Sequence, residues 1–328
     1  MNVFGCGHFF IIHSMCFTFV PMSIVISNLT KSYGYQKAID NISFQVNNNE
    51  IVGFLGPNGA GKSTTMKIVT GYIVADSGTA SVNGVNVDTN PIDAKKQIGY
   101  LPESNPLYFE MYVREYLGFI AGIYKLTTGV RKRIEEVIDL TGLRPESKKK
   151  IGQLSKGYKQ RVGLAASLIH DPEVLILDEP TSGLDPNQII DIREVIRELG
   201  KNKTVLFSSH ILQEVESICD RIIIINKGSI VADDTLSNLR STNKTSHTII
   251  VTFAETIDIT ILANLDGVIK AEEEKPSTFK LQTLDPDLVK RNLFSFSIEK
   301  NLNIISLKSE SKSLEDVFRD LTGNIEKN

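Results

Sequence analysis

The sequence predicts an α/β fold with a mainly parallel sheet covered by helices, joined to a smaller α+β domain. From Ser23 onwards, apolar strand-like segments alternate with helical patterns, which is typical of such a sheet. A glycine-rich loop follows one buried strand, and an acidic pair follows another. Beyond about residue 240 the pattern changes to shorter strands and helices.

Composition limits the range of functions. The chain of 328 residues, 41% of them hydrophobic, is long enough for about two domains. Its formal net charge of −3 lacks the positive excess of nucleic-acid-binding proteins, so we expect no nucleic-acid partner. The cysteines Cys6, Cys16 and Cys219 have neither paired nor metal-like spacing. We therefore predict no disulfide and a reducing compartment.

Residues 1–21 differ from the rest of the chain, because they contain no Lys, Arg, Asp or Glu. Their apolar core, residues 9–20, is too short to span a bilayer and lacks the flanks of a signal peptide. We expect Met22 to be the true start and residues 1–21 to be a non-native or disordered extension. A metal site built from His8, His13 and the two nearby cysteines is the less favoured alternative. Because no other run of the sequence is long and apolar enough to span a bilayer, we expect any membrane role to come through a partner.

Residues 50–64 combine a buried strand, EIVGFLG, with the loop GPNGAGKST, and a helix then runs towards Gly71. Glycines let the backbone approach phosphate oxygens closely, and N–H groups at a helix start attract anions. Lys62 is predicted to reach the β- and γ-phosphates of ATP, and Ser63 to ligate Mg²⁺. The alternative is a glycine-rich turn without a ligand. The predicted ATP-binding residues of the loop are Gly56, Pro57, Asn58, Gly59, Ala60, Gly61, Lys62, Ser63 and Thr64.

An acidic pair follows the apolar strand at residues 174–177. Ligands bind at the carboxyl ends of strands in open α/β sheets. We predict that Asp178 joins the Mg²⁺ ligands and that Glu179 polarises an attacking water. Such a pair alone is more often a solvated turn, and it is the phosphate loop that favours the catalytic interpretation.

His210 ends another apolar segment, residues 204–210. An isolated histidine is usually a core or surface residue. Because this one follows a strand at the sheet edge shared with Asp178 and Glu179, we predict that it contacts the γ-phosphate and takes part in catalysis.

The segment LSKGYKQR at residues 154–161 predicts a tight turn that leads into a helix, with backbone N–H groups placed to hold an anion. Taken in order, GPNGAGKST, LSKGYKQR, LILDEP, SGLD at residues 182–185 and His210 resemble the motifs of the nucleotide-binding subunits of ABC transporters. The resemblance covers residues 22 to about 240 without a gap. It implies a P-loop NTPase fold of the ABC ATPase type, in which an antiparallel part and a helical subdomain accompany the mainly parallel sheet.

The resemblance also gives the second anion-binding segment a role. In this family the helix start binds ATP held by the other subunit, so two chains pair head to tail. Ser155, Lys156, Gly157 and Tyr158 are thereby predicted to act in trans, and Asp185 to lie at the dimer contact. Lys156 replaces a glycine and Tyr158 replaces a glutamine of the usual motif. The lysine would either tighten the closed dimer or face solvent.

Further roles follow from the same resemblance. Tyr33 is predicted to stack on adenine, and Glu103, where most members carry glutamine, to contact Mg²⁺. A hard cation accepts carboxylate at least as readily as amide. The alternatives are an ordinary strand-end tyrosine and a solvent-facing glutamate. In the aromatic-rich stretch after Glu103, most aromatics are expected to pack, while exposed ones near Tyr108 and Phe109 contact an integral membrane permease.

Residues 241–328 are predicted to form an accessory domain that begins with the polar linker STNKTS. Its expected order is strand 247–253, helix 257–265, strands 268–272 and 278–282, helix 286–299, strand 304–309 and helix 313–321. This order fits a small ferredoxin-like α+β domain. It carries no catalytic constellation, so its role is open between structural and regulatory.

The sequence therefore predicts the ATPase subunit of an ABC exporter, dimeric and docked on a separate permease at the cytoplasmic face of the inner membrane. Residues 101–124 most resemble the gliding-motility-associated subunits, although drug-, lipid- and copper-export subunits share much of this run. A soluble ABC ATPase that works as a mechanical switch on ribosomes or DNA is the rival. Such proteins usually carry two cassettes or a coiled-coil insertion. A nucleotide-binding structural subunit is disfavoured by Glu179 and His210.

Overall fold

The computed structural model describes residues 22–242, 247–310 and 314–323. The predictions for residues 1–21, including the metal site, and for most of the linker lie outside these described residues. Cys219 is a buried free thiol whose pKa is raised by burial.

The described part of the chain contains the following strands and helices. The strands are β1 (Met22–Tyr33), β2 (Gln36–Asn47), β3 (Ile51–Leu55), β4 (Ser77–Val82), β5 (Val85–Asn86), β6 (Ile98–Leu101), β7 (Val174–Asp178), β8 (Thr204–Ser209), β9 (Arg221–Asn226), β10 (Ser229–Thr235), β11 (His247–Phe253), β12 (Val268–Lys275), β13 (Thr278–Thr283) and β14 (Ile304–Glu310). The helices are α1 (Lys62–Val69), α2 (Pro91–Gln97), α3 (Val113–Ile123), α4 (Val130–Leu140), α5 (Lys156–Leu168), α6 (Pro186–Gly200), α7 (Leu212–Ile218), α8 (Leu236–Thr242), α9 (Ile259–Ala263), α10 (Pro286–Glu299) and α11 (Leu314–Gly323).

The central sheet has the strand order β10-β9-β3-β8-β7-β6. From β9 to β6 the neighbouring strands run parallel, while β10 pairs antiparallel with β9. Strands β3, β7 and β8 are buried along their whole length. Because they are covered on both faces, they appear in the sequence as continuous apolar runs. The predicted mainly parallel sheet is confirmed.

A second, antiparallel sheet has the order β2-β1-β4-β5. Its apolar side chains pack with those of the central sheet in one hydrophobic core, represented by Ile26, Phe44 and Phe54. A second core joins the central sheet to α3, α5, α6 and α7. Helices α3, α4 and α5 contact one another. The predicted antiparallel part and helical subdomain are thus both present.

The third sheet is antiparallel throughout and has the order β12-β13-β11-β14. With α9 and α10 it forms the βαββαβ arrangement expected of a ferredoxin-like fold, around its own core that includes Phe253 and Phe279. Helix α9 is shorter than predicted. It begins after Asp258, whose side chain accepts a hydrogen bond from Thr260 N at 2.9 Å.

Helix α11 does not belong to this third core. It contacts α7 and α8, and its apolar residues Leu314, Phe318 and Leu321 pack into the core that contains α7. Asn226 Nδ2 also donates to the carbonyl oxygen of Thr322 at 3.2 Å. The division of the chain near residue 240 remains a prediction, and the last helix packs across it.

Among the helices in the described part of the chain, none combines the length and the apolar character needed to cross a bilayer.

Candidate active site

The loop between β3 and α1 wraps tightly because glycines stand where no side chain fits. Gly61 caps α1 with φ +112°, and a Cβ at this position would collide with the carbonyl oxygen of Ala38. A Cβ on Gly56 would collide with the carbonyl oxygen of Ile225. Helix α1 then starts at Lys62, so its first N–H groups lack intrahelical partners and are available to an anion.

Lys62 lies almost fully buried at the start of this helix. Its Nζ donates to the carbonyl oxygens of Gly56 at 2.7 Å and Pro57 at 3.2 Å. The same nitrogen lies 3.4 Å from Glu179 Oε1. The predicted phosphate-binding lysine and the predicted catalytic carboxylate are therefore in direct contact.

Glu179 is also bound on its other oxygen. His210 Nδ1 lies 2.8 Å from Glu179 Oε2. The backbone of Glu179 has φ +49°, in the left-handed region that is unfavourable for a residue with a side chain. Such a conformation persists only where the surrounding contacts hold it, which is typical of functional sites.

Hydroxyl groups organise the neighbouring aspartate. Ser63 Oγ and Ser208 Oγ donate to Asp178 Oδ1 at 3.1 and 2.7 Å. Glu179 N in turn donates to Ser208 Oγ at 3.0 Å. Ser208 thus ties both members of the acidic pair to the next strand, and sequence reasoning missed it because serine at a strand end is unremarkable.

A cavity of about 400 Å³ brings nine of the predicted site residues together. Its wall contains residues of the phosphate loop, Glu179 of the acidic pair, and His210, which follows β8, while Asp178 is not among the lining residues. The lining residues are Ala38, Asn58, Gly59, Gly61, Lys62, Ser63, Thr64, Glu103, Glu179, Ser182 and His210. Tyr33 is not among them. It ends β1 with 55% of its surface exposed, and Lys31 Nζ lies 5.9 Å from its ring centroid.

The second predicted anion-binding segment, residues 154–161, lies outside this cavity. Ser155 caps α5, and its Oγ accepts a hydrogen bond from Tyr158 N at 3.3 Å. Gly157 is buried against the side chain of Gln188. Lys156 Nζ occupies the space that a Cβ on Gly183 would need, so this lysine lies over the SGLD segment of its own chain.

The same segment begins α6 through Asp185. This residue is the N-cap, and its Oδ1 accepts a hydrogen bond from Gln188 N at 2.9 Å. Within the chain, Asp185 therefore acts as a helix cap. The start of α6 that it caps lies against the start of α5, where Gly157 meets Gln188.

A larger cleft of about 700 Å³ adjoins the cavity. Ser63 and Glu103 line both, and aromatic side chains of the central sheet and of α3 line the far wall, among them Tyr100 and Tyr116. The Tyr100 hydroxyl is buried with no hydrogen-bond partner among the described residues, and burial raises its pKa. Glu103 thus stands between the phosphate cavity and a cleft that reaches the helical subdomain.

Comparisons with known proteins show the family to which the chain belongs. Residues 39–182 match the family model for ABC transporters. The linearmycin resistance ATP-binding protein LnrL of Bacillus subtilis is 36% identical over 304 residues, which cover 90% of this chain and 97% of that protein. The bacitracin transport ATP-binding protein BcrA of Bacillus licheniformis is 35% identical over 318 residues, which cover 92% and 98%.

The chain belongs to the ATP-binding subunits of ABC transporters. Members of this family are ATPases, and this chain is an ABC ATPase. A solved ATP-binding subunit of an ABC transporter is 32% identical, has a TM-score of 0.61, and covers 67% of this chain and 92% of that one. A dimeric bacterial ABC transporter cassette, 24% identical with a TM-score of 0.60, has the same fold.

Oxygen atoms of this ABC ATPase suit Mg²⁺ where the cavity adjoins the larger cleft, because Ser63 and Glu103 line both and Asp178 lines the cleft. Within the described ranges, no group of three or more His, Cys, Asp or Glu side chains can hold a metal unaided. Mg²⁺ is usually bound by one or two carboxylates together with substrate phosphates. The Ser63 hydroxyl and the Asp178 carboxylate lie 3.1 Å apart, with Glu103 in the same wall, and this set fits such a site.

A buried acidic residue of the ABC ATPase was not anticipated from the sequence. Glu214, on α7, has only 1% of its surface exposed. It accepts hydrogen bonds from Thr181, two residues after Glu179, and from Ser209, the residue before His210. The one signal in the sequence is an acidic residue between the apolar positions of a short helix.

Proposed function

We propose that this ABC ATPase hydrolyses ATP to drive a separate membrane permease of the exporter type. The observation that supports this proposal best is the chain of contacts from Lys62 through Glu179 to His210, at 3.4 and 2.8 Å, in the wall of the phosphate cavity. A general base needs to be held next to the phosphates and oriented by a second group, and this arrangement provides both.

The chemistry follows from these contacts. The β- and γ-phosphates bind the N–H groups of the loop and draw Lys62 towards them, which releases one oxygen of Glu179. Glu179 then orients a water for in-line attack on the γ-phosphorus and accepts its proton, while the bond from the γ-phosphorus to the bridging oxygen breaks and ADP leaves. His210 holds the other carboxylate oxygen and contacts the γ-phosphate, whose growing negative charge Lys62 stabilises.

A magnesium ion bound with ATP would neutralise charge on the β- and γ-phosphate oxygens. Ser63, Asp178 and Glu103 would hold it. Asp178 is kept in place by Ser208, and Ser63 by its position on the first turn of α1. Glu103 brings a full negative charge to a position where an amide would bring none.

The working unit is proposed to be a head-to-tail dimer. Ser155, Lys156, Gly157 and Tyr158 do not line the phosphate cavity of their own chain. Ser155 caps a helix of 13 residues, whose first N–H groups can bind the γ-phosphate held by another copy. Adenine is proposed to stack on Tyr33, and Asp185 to approach the partner across the same contact.

The permease is proposed to dock on the cleft beside Glu103. Tyr108 and Phe109 lie at the helical subdomain with about half of their surfaces exposed, which suits an interface with a helix of the permease. Docking there would keep the ATPase at the cytoplasmic face of the membrane. It would also connect the permease to the Mg²⁺ site through Glu103.

The names of two relatives bear on the class of transported substrate. LnrL concerns linearmycin resistance and BcrA bacitracin transport, and these names support an exporter. The gliding-motility assignment, based on residues 101–124, stays a prediction. A switch on ribosomes or DNA remains the rival function.

Affinity purification of the tagged protein from solubilised membranes tests the proposal. We expect ATP hydrolysis by the recovered complex and a multi-span membrane protein as the major partner. Recovery with ribosomes or nucleic acid instead would support the rival. Alanine at both Tyr108 and Phe109 should release the membrane partner, while alanine at the exposed Tyr35, far along the chain from the cleft, should not.

A further inference from the structure

Glu214 lies on α7, four residues after His210, and its carboxyl group is almost completely buried. Its Oε2 accepts two hydrogen bonds of 2.7 Å, one from Thr181 Oγ1 and one from Ser209 Oγ. Thr181 follows Glu179 by two residues, and Ser209 immediately precedes His210. A single oxygen atom therefore joins the segments that carry the two predicted catalytic side chains.

Two further hydrogen bonds fix the backbone of the segments that contain Thr181 and Ser209. Ser182 N donates to the carbonyl oxygen of Glu179 at 3.1 Å, which closes the turn that contains Thr181. Ser209 Oγ accepts a hydrogen bond from Ile211 N at 3.0 Å, which shapes the backbone on both sides of His210. The turn that follows Glu179 and the backbone around His210 are thus both anchored by residues that donate hydrogen bonds to Glu214.

Burial of this carboxyl group is unfavourable unless it is fully compensated. Its Oε1 accepts no hydrogen bond among the described residues. The guanidinium of Arg193 on α6 faces it, but Nη2 lies 3.9 Å away, beyond hydrogen-bond distance. An apolar side chain here would leave the buried hydroxyl groups of Thr181 and Ser209 without this acceptor, so the glutamate serves these two groups.

We propose that Glu214 is a positioning residue that sets the contact between Glu179 and His210. It touches neither ATP nor water in the reaction. By fixing Thr181 and Ser209 to one oxygen, it holds the left-handed backbone of Glu179 and the ring of His210 at their 2.8 Å separation. This inference rests on the proposed ATPase mechanism, because it acts through the same two residues.

The test compares Glu214→Gln, His210→Ala and the double variant with the wild-type protein. Glutamine has the same shape, but to keep both hydrogen bonds on its one oxygen it must turn its NH2 group toward the Arg193 guanidinium, which is an unfavourable contact between two donors. We expect Glu214→Gln to lower kcat by about tenfold or more, and to leave the dissociation constant for ADP, measured by calorimetry, within about twofold. We expect the double variant to be no slower than His210→Ala, because residues that act through one contact are not additive.

Two variants that each remove a single hydrogen bond test the same proposal if Glu214→Gln destabilises the fold. Thr181→Val and Ser209→Ala each remove one donor to Glu214, and each should lower kcat by several-fold with little change in KM. Glu194→Gln on α6 is the matched control, because Glu194 is exposed and should tolerate the change with wild-type kinetics.

Wild-type kcat in both Thr181→Val and Ser209→Ala would overturn the proposal. So would a double variant whose losses multiply as if the two sites were independent. In either case an active wild-type protein leaves the ATPase function intact. A wild-type protein that binds ATP without hydrolysing it contradicts both the proposed function and this inference.

Discussion

Lys62 and Glu179 form a buried ion pair, with the lysine nitrogen 3.4 Å from the glutamate Oε1. The lysine is also bonded to the carbonyl oxygens of Gly56 and Pro57, in the loop where phosphates are expected to bind. Phosphate groups bound by this loop would therefore compete with Glu179 for one ammonium group. We expect phosphate binding and release of the proposed general base, Glu179, to be coupled through this contact.

Glu179→Gln tests that coupling. The amide cannot accept a proton, so turnover should fall by about 10²–10⁴-fold, the usual contribution of a general base. ATP affinity should be unchanged or higher, because Lys62 is no longer shared with a carboxylate. Phosphate release and equilibrium dialysis measure the two effects. Glu173→Gln, exposed at the other end of β7, is the control. Unaltered turnover in Glu179→Gln would remove this residue from the mechanism.

Glu103→Gln tests the departure from the family's usual residue. An amide oxygen carries no net charge, so the Mg²⁺ concentration for half-maximal ATPase activity should rise by roughly three- to tenfold. A magnesium titration at saturating ATP measures it. Glu110→Gln removes an exposed charge from the same region and should leave the midpoint unchanged. An unchanged midpoint in Glu103→Gln would mean that Glu103 contacts no metal.

Lys156→Ala tests the cation at the start of α5. This lysine lies over Gly183 of its own chain, next to the surface proposed to meet the partner's γ-phosphate. We expect ATP-driven dimerisation in the Glu179→Gln background to weaken by about two- to tenfold, with a smaller effect at high salt. Analytical ultracentrifugation measures it. The exposed Lys148→Ala should dimerise normally, and an equal result for Lys156→Ala would leave the lysine without a role in closure.

Glu135 gives a prediction about acid stability. Hydrogen bonds from Arg114, and then from Arg144, hold the pKa of this carboxyl at about 2, well below its ordinary value of 4.5. Because the pKa is lowered in the folded state, the stabilisation is complete above about pH 4.5 and is lost as the pH falls towards 2.

Glu135→Gln should therefore melt about 1–3 °C below the wild type at pH 7, the modest effect expected of a partly exposed pair. The difference should shrink as the pH is lowered through that window. Thermal melts at several pH values measure it, with Glu194→Gln as the control. A difference that is constant with pH would point to packing instead of the ion pair.

Local sequence patterns predicted the elements that carry the site. The phosphate loop, the buried strands before Asp178 and His210, and the helix after Ser155 could be predicted because each depends on contiguous residues and on glycine or apolar periodicity. Parallel strands place their carboxyl ends at one edge, so proximity of Glu179 and His210 followed from topology. The central strands of the third sheet, β11 and β13, were also predictable, because their residues alternate between buried and half-buried positions.

Only the tertiary structure decided the contacts between distant segments. The sequence cannot reveal that Lys62 pairs with Glu179, that Lys156 lies over Gly183, or that Glu214 joins Thr181 to Ser209. Nor does it reveal that α11 packs against α7 instead of joining the third core. The physical reason is that side-chain direction and element packing depend on the whole assembled core, whereas propensity and periodicity act over a few residues.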